Sequence, residues 1–248
     1  MLNYKYIPTR KEKVAIRIKP NTFKVSGDHV FFTLQGEGQS IGKPAIFLRL
    51  HLCNLQCKWC DTKYTWDSTI PQFWRESSDW DLAKIVKKLR SYGYHRLVIT
   101  GGEPLIQQET IIKLLALIPD WFIEIETNGT IMPNAVLCER CQLNVSPKLE
   151  NSGNPKTRRY KPEVLRFVNN LEGTTFKFVV TQKKDIPEIE TLIKECQLNP
   201  NKIIIMPEGR TVHEIKRHSL KVIELVKKKG WRLLPRLQVT LWGTKRGI

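Results

Sequence analysis

The stretch "AIFLRLHLCNLQCKWCDT", residues 45–62, joins a short apolar run to a loop that contains three cysteines. The apolar run, residues 45–50, has the length and composition of a buried β-strand. The loop places Cys53, Cys57 and Cys60 in the spacing C-x3-C-x2-C. A closed structural zinc site needs four protein ligands, whereas an iron–sulfur cubane bound by three thiolates keeps one iron open for another ligand. The spacing therefore favours a 4Fe-4S cluster in the loop that follows this strand.

A zinc site is the alternative interpretation of the same loop. Its fourth ligand would be His51 or one of the pair Cys138 and Cys141. Such a site would suit a zinc-dependent nucleic-acid-binding module, which would also use the net charge of +17. Two cysteines make an incomplete metal site, so we predict that Cys138, Cys141 and Cys196 are structural thiols.

Length and composition favour a single enzyme-sized domain in a reducing compartment. At 248 residues with 41% hydrophobic residues, the chain is long enough for one large domain with a substantial core. No run of 18 apolar residues predicts a membrane span, and residues 1–20 lack the apolar segment of a secretory signal. We therefore predict a cytoplasmic protein, in which clustered cysteines bind metal rather than form disulfides.

The basic residues are spread over the chain apart from a concentration near its start. We predict that residues 1–22 are a basic N-terminal extension and that residues 23–248 form a single domain. Elsewhere the Lys and Arg residues fall on the outer faces of amphipathic helices, as in "VKKLR" (86–90) and "LVKKKGWR" (225–232). This pattern favours a solvated basic surface over a nucleic-acid interface.

Apolar strands alternate with amphipathic helices from residue 45 onward, which predicts an α/β fold with a parallel sheet covered by helices. About six strand–helix units are present, fewer than the eight of a closed barrel. The predicted strands are residues 45–50, 96–100, 121–127, 142–146, 175–181, 202–208 and 232–242, and the predicted helices are residues 81–93, 108–118, 162–170, 186–197 and 211–230. Because the carboxyl ends of parallel strands share one edge, we expect the cysteine loop, "TGGEP" (100–104), "ETNG" (126–129) and "SPK" (146–148) to meet.

The cysteine loop resembles the signature of the radical S-adenosylmethionine (SAM) superfamily, C-x3-C-x-aromatic-C, with Trp59 as the aromatic residue. "GGEP" (101–104) is similar to the glycine-rich motif of that superfamily. The resemblance implies a partial (β/α)6-type radical SAM barrel, in which the open iron of the cluster binds the methionine group of SAM. By the same resemblance Glu103 accepts the SAM ammonium, and the SAM-binding residues are Trp59, Asp61, Gly102, Glu103, Thr127, Asn128, Ser146 and Lys148.

Two further stretches, residues 32–62 and "LWGTKRGI" (241–248), resemble the 7-carboxy-7-deazaguanine synthase family. This resemblance implies a carbon–nitrogen lyase that contracts 6-carboxy-5,6,7,8-tetrahydropterin with loss of ammonia, using the cluster, SAM and Mg²⁺. It also implies an electron donor such as flavodoxin and a homodimer. Arg49 would bind the substrate carboxylate and Thr62 would bind Mg²⁺. The implied substrate-binding residues are Leu34, Gln35, Gly36, Glu37, Arg49 and Thr100.

The chain departs from the family pattern at Gln238, where relatives often have a histidine, so we assign no role to an imidazole there. A second enzyme class remains as an alternative, namely a radical-activating enzyme that makes a glycyl radical on a partner protein. Such an enzyme needs no pterin pocket, and "LQGEG" (34–38) with Arg49 and Thr62 therefore argues against it.

Overall fold

The computed structural model describes residues 4–8 and 13–248. Strands β3 to β11 form one open nine-stranded sheet in the order β11-β10-β9-β8-β7-β6-β4-β3-β5. Neighbouring strands from β4 to β11 are parallel, and β3 pairs antiparallel with both β4 and β5. The strands are β1 Tyr4–Pro8, β2 Lys13–Arg17, β3 Thr22–Leu34, β4 Pro44–Leu50, β5 Ser77–Asp81, β6 Arg96–Gly101, β7 Phe122–Thr127, β8 Cys141–Val145, β9 Thr174–Val180, β10 Ile203–Pro207 and β11 Arg232–Leu233. The parallel sheet that the alternating pattern predicts is thus confirmed.

Most of the helices pack against one face of this sheet around the main core, as the strand–helix alternation predicts. The helices are α1 Pro71–Arg75, α2 Leu82–Arg90, α3 Gln108–Leu117, α4 Ala135–Arg140, α5 Lys156–Arg159, α6 Pro162–Asn169, α7 Ile186–Cys196, α8 Val212–Lys229 and α9 Leu237–Trp242. Helix α8 begins with a capping box between Thr211 and Glu214 and ends at Gly230 with φ +68°, as its sequence signals predict. In the described part of the chain no helix is long and apolar enough to cross a membrane.

Alternation along β4 separates the core from the concave face of the sheet. Ile46, Leu48 and Leu50 are fully buried in the main core between sheet and helices. Phe47 belongs to a separate small cluster on the other face, and Arg49 continues that face toward the carboxyl end of the strand. Because successive side chains of a strand point to opposite faces, this strand delivers Arg49 and the cysteine loop to the concave side together.

The predicted final strand, residues 232–242, is wrong beyond Leu233. Pairing with β10 stops after Leu233, and α9 occupies Leu237–Trp242. The backbone N–H of Leu234 still donates to the carbonyl of Ile205, at 3.0 Å. Pro235 follows and has no N–H to continue the ladder. The chain therefore turns back over the sheet edge and places α9 beside the concave face.

Strand β3 and the edge strand β5 were absent from the sequence prediction. The register of β3 against β4 shifts between Val25 and Val30, and both Gly27 and His29 in this interval have positive φ. Such a bulge breaks the period-2 alternation by which a strand is recognised. β3 begins at Thr22, and the buried Ile16 packs with Leu52 in a cluster below the cysteine loop. The predicted domain boundary at residue 22 remains a prediction.

Candidate active site

A cavity of about 420 Å³ opens at the carboxyl ends of the parallel strands. It brings together the cysteine loop, the loop after β3, the strand ends of β6 to β8 and the C-terminal segment. Nearly all of the residues proposed from sequence line it, namely Leu34, Gln35, Gly36, Glu37, Arg49, Cys53, Cys57, Trp59, Cys60, Asp61, Thr62, Thr100, Gly102, Thr127, Asn128, Ser146 and Lys148. Glu103 is not among the lining residues and lies fully buried behind the wall.

The three thiols of the loop line the same cavity, and each has one hydrogen-bonding neighbour. The Leu55 N–H donates to Cys53 Sγ at 3.5 Å, and Cys60 Sγ lies 3.5 Å from the Thr62 hydroxyl. Asn154 Nδ2 donates to Cys57 Sγ at 3.3 Å. Burial raises the pKa of Cys57 to about 11 and also raises that of Cys53. Deprotonated sulfur at this depth therefore requires a compensating cation or cluster.

The thiols are not arranged for a single zinc ion. Within the described residues, no three Cys, His, Asp or Glu side chains converge closely enough to hold one metal ion. His51 lies outside the cavity lining, with its Nδ1 3.0 Å from Ser26 Oγ and its ring against Phe73. Cys138 and Cys141, in α4 and at the start of β8, are likewise absent from the lining.

The cysteine loop is held in place by the segment 151–154, for which the sequence predicted no role. Asn154 Oδ1 accepts from the backbone N–H of Gln56 at 2.8 Å, and the carbonyl of Ser152 accepts from the Lys58 N–H at 2.9 Å. Trp59 Nε1 donates to Asn151 Oδ1 at 3.2 Å. These contacts fix the backbone on which the thiols are mounted.

The glycines of "GGEP" serve a close approach to the strand that enters the cysteine loop. Gly101 has φ +126°, and a Cβ on Gly102 would lie 2.0 Å from the Leu52 carbonyl oxygen. The Gly102 N–H donates to the Leu50 carbonyl at 3.0 Å, and the Glu103 N–H donates to the Leu52 carbonyl at 2.8 Å. A side chain at either position would push the two backbones apart.

Glu103 connects this turn to the end of β7. Its carboxylate accepts from the Leu105 N–H at 3.0 Å, the Thr127 hydroxyl at 2.8 Å and the Asn128 N–H at 2.7 Å. Burial raises its pKa despite these donors. Glu103 therefore holds Thr127 and Asn128 at the cavity wall, and its predicted contact with an ammonium group remains a prediction.

Lys148 presents a half-buried ammonium group close to Cys57. Its Nζ donates to the carbonyl and the hydroxyl of Ser146, at 2.6 and 2.8 Å, and lies 5.9 Å from the centre of the Trp59 ring. Burial lowers its pKa. Across the described part of the chain no carboxylate forms an ion pair with it. The cavity therefore suits a ligand with an anionic group near Lys148.

Arg49 also lines the cavity and has no ion pair among the described residues. Its guanidinium lies 5.6 Å from the centre of the Phe31 ring, which stacks on Phe47 at 5.3 Å. Thr100 is its register partner on β6 and donates to Glu126 Oε2 at 2.6 Å. Glu126, the first residue of "ETNG", also lines the cavity, although the sequence predicted no binding role for it. The guanidinium of Arg49, which has no ion pair among the described residues and lies next to the Phe31 ring, suits a ligand whose ring has a carboxylate substituent.

A row of alternating charges closes the cavity on the side of the "LQGEG" loop. Glu37 forms ion pairs with Lys177 and, at 3.0 Å, with Arg236, which also pairs with Asp61. Gln238 Nε2 donates to Glu37 Oε1 at 2.7 Å. Burial alone would raise the pKa of Glu37, but Lys177 and Arg236 outweigh it and hold that pKa well below its usual range.

Lys177 and Arg236 were missed because they are 140 and 199 positions from Glu37 in sequence. The carboxylate of Glu37 already pairs with Lys177, Arg236 and Gln238. If Glu37 contacts the substrate as predicted, it would therefore do so through its backbone groups. Gly36 permits this packing, because a Cβ there would lie 1.9 Å from Gln238 Oε1. Gln35 likewise donates to Glu124 and Glu126, at 2.6 and 3.1 Å.

Comparisons with known proteins agree with this arrangement. The radical SAM superfamily profile matches residues 49–140. The 7-carboxy-7-deazaguanine synthase of Pyrobaculum aerophilum is 33% identical over 223 residues, covering 88% of this chain and 95% of the relative. That of Halobacterium salinarum is 33% identical over 241 residues, covering 87% and 89%. The crystal structure of QueE from Escherichia coli matches with a TM-score of 0.67 and 27% identity, covering 87% of this chain and 94% of that one. The chain therefore belongs to the 7-carboxy-7-deazaguanine synthase family of the radical SAM superfamily.

Proposed function

We propose that this protein is a radical SAM lyase that converts 6-carboxy-5,6,7,8-tetrahydropterin to 7-carboxy-7-deazaguanine, with ring contraction and loss of ammonia. One observation carries the proposal. A single cavity is lined both by the three thiols of the cysteine loop and by Arg49, whose guanidinium has no ion pair among the described residues. Membership of the family supports the same reaction.

The donor set fits a 4Fe-4S cluster bound by Cys53, Cys57 and Cys60, because three thiols leave one iron free for SAM. When bound, the cluster supplies the electron that cleaves SAM reductively. The half-buried ammonium of Lys148 would bind an anionic group of SAM. The remaining SAM-binding residues would be Trp59, Asp61, Gly102, Glu103, Thr127, Asn128 and Ser146.

The substrate would lie between Arg49 and the "LQGEG" loop. The guanidinium of Arg49 offers a planar, bidentate site for the pterin carboxylate, and the Phe31 ring beside it offers an apolar surface. Leu34 to Glu37 would contact the ring through their backbone, with Thr100 and Glu126 at the wall behind it. Thr62 would supply one oxygen to Mg²⁺, with the remaining ligands from substrate and water.

Two partners belong to the proposal. Cluster reduction needs a one-electron donor, and the net charge of +17 favours docking of an acidic protein such as flavodoxin. The assembly would be a homodimer, which light scattering after size-exclusion chromatography tests. A radical-activating enzyme is less well supported, because it would have to accommodate a protein segment in a cavity of about 420 Å³ that contains an unpaired cation.

The experiment that tests this function is anaerobic reconstitution of the cluster, followed by addition of SAM, a reductant, Mg²⁺ and the carboxypterin. We expect carboxydeazaguanine by mass spectrometry in the parent protein. Cys57→Ala should lose both iron and product, whereas Cys138→Ala should keep both, because only Cys57 lines the cavity. Loss of iron from Cys138→Ala with retention in Cys57→Ala would contradict the site, and a fully loaded parent that forms no product would contradict the reaction.

A further inference from the structure

The three thiols of the cysteine loop differ in the origin of their hydrogen-bond donors. Cys53 and Cys60 have partners within the loop itself, the Leu55 N–H and the Thr62 hydroxyl. The donor to Cys57 is a side chain from elsewhere in the fold, Asn154 Nδ2, 97 positions away and 3.3 Å from Sγ. Cys57 is also buried, with 7% of its surface exposed. Its sulfur is therefore the one whose surroundings are set by tertiary structure.

The orientation of the Asn154 amide is fixed by its other contacts. Oδ1 accepts from the Gln56 backbone N–H at 2.8 Å, and a backbone N–H can only donate. The NH₂ group must therefore face Cys57 Sγ and the Ser152 hydroxyl, which lies 3.2 Å away. The carbonyl of Asn154 accepts in turn from Arg159 Nε at 3.1 Å. With 6% of its surface exposed, Asn154 has no room to turn away from the sulfur.

We propose that Asn154 is a positioning residue that raises the reduction potential of the cluster by donating a hydrogen bond to the Cys57 thiolate. The proposal rests on the proposed function, which places the cluster on this thiol. Reduction adds an electron to the cluster and increases the negative charge on its sulfur ligands. A fixed N–H donor stabilises the reduced state more than the oxidised state, and the low exposure of Cys57 and Asn154 limits screening by solvent.

This role differs from simple support of the loop. Asn151 and Asn154 both hold the loop through their side-chain oxygens. Asn151 Oδ1 accepts from Trp59 Nε1 at 3.2 Å, and Asn154 Oδ1 accepts from the Gln56 N–H. The side-chain NH₂ of Asn151 donates instead to the Val179 carbonyl and to Asp185, both at 3.0 Å. Only Asn154 of the two contacts a thiol. Asn151 therefore provides a matched control.

The test is an anaerobic redox titration of the reconstituted protein at pH 8 without SAM, followed by the electron paramagnetic resonance signal of the reduced cluster. Asn154→Leu keeps a similarly branched side chain and removes the amide, so that the donor to Cys57 and the acceptor for Gln56 are lost together. We expect the reduction equilibrium to shift about threefold to tenfold toward the oxidised cluster, which is about 28 to 59 mV for a one-electron couple. Asn154→Asp keeps the acceptor for Gln56 and replaces the donor with a carboxylate oxygen, so its shift should be larger in the same direction.

Asn151→Leu should leave the potential at the parent value even if iron content falls, because it touches no thiol. An unchanged potential in both Asn154 variants with loaded clusters would overturn the inference. Loss of the cluster from both would also overturn it, since Asn154 would then be needed only for assembly. A parent protein that binds no cluster would instead refute the proposed function, so the two failures are distinguishable.

Discussion

Replacement of Arg49 by alanine tests the substrate site most directly. Arg49 lines the cavity without an ion pair to any described residue, so its charge is available to a ligand. A hydrogen bond to a charged group contributes about 1.5–3 kcal/mol. At about 1.4 kcal/mol per factor of ten, Arg49→Ala should weaken binding of the carboxypterin roughly tenfold to a hundredfold. Arg49→Lys should recover only part of this, because an ammonium lacks the planar fork.

The same contacts predict that Arg49→Ala leaves the protein stable. Its nearest described interaction is with the Phe31 ring at 5.6 Å, and such a contact contributes about 0.5–1 kcal/mol at exposed sites. Arg236 is the matched control, because it is also an arginine of the cavity wall but pairs with Glu37 and Asp61. Arg236→Ala breaks a largely buried pair and should lower the free energy of unfolding by about 3 kcal/mol.

Two measurements on the anaerobic protein decide the matter, the affinity for the carboxypterin and the affinity for SAM. We expect Arg49→Ala to bind the carboxypterin more weakly but to bind SAM as tightly as the parent, with a thermal unfolding midpoint close to that of the parent. If the variant bound carboxypterin normally and lost SAM, Arg49 would belong to the cofactor site. If it unfolded as readily as Arg236→Ala, the assignment of a free, ligand-binding guanidinium would be refuted.

Three further changes follow from the geometry of the site. Thr62→Ala should weaken activation by Mg²⁺ while iron content and SAM binding persist, and equal Mg²⁺ activation in variant and parent would remove Thr62 from the site. Gly102→Ala should misplace the cysteine loop, because the added Cβ would lie 2.0 Å from the Leu52 oxygen; full iron content in this variant would contradict that reading. Glu37→Gln should lower the free energy of unfolding by about 3 kcal/mol, because it leaves Lys177 without its ion-pair partner and leaves Arg236 paired with Asp61 alone. Since the folded state lowers the pKa of Glu37 from 4.5, this stabilisation is fully present above about pH 4.5 and is lost as pH falls through the folded pKa. The free energies of unfolding of parent and variant, measured with denaturant, should therefore differ most at neutral pH and converge in acid. A difference that does not change with pH would argue against the ion pairs.

The chemistry of the cluster loop and its surroundings was predictable from sequence because its signals are local. Cys53, Cys57 and Cys60 lie within eight positions of one another, and "GGEP" directly follows an apolar run. The capping box and terminal glycine of α8 were equally readable, because a helix end is satisfied by residues within one turn of it. The shared edge of the strand ends followed from the parallel sheet, since all its strands point the same way.

Features that depend on pairing across the chain were decided only by the tertiary structure. The bulge in β3 erased the alternation that would have revealed that strand, and Pro235 ended a run that by composition reads as a strand. Sheet order brings Lys177 to Glu37, and the turn at Pro235 brings Arg236 there. The fold likewise places Asn154 next to Cys57, so these contacts span 97 to 199 positions in sequence. Nothing in the local sequence marks these residues as partners, because each is an ordinary surface residue type until packing removes water from around it. The sequence by itself thus indicated which groups line the cavity, whereas tertiary packing decided which charges are paired within the described residues and which, as for Arg49 and Lys148, have no ion pair there.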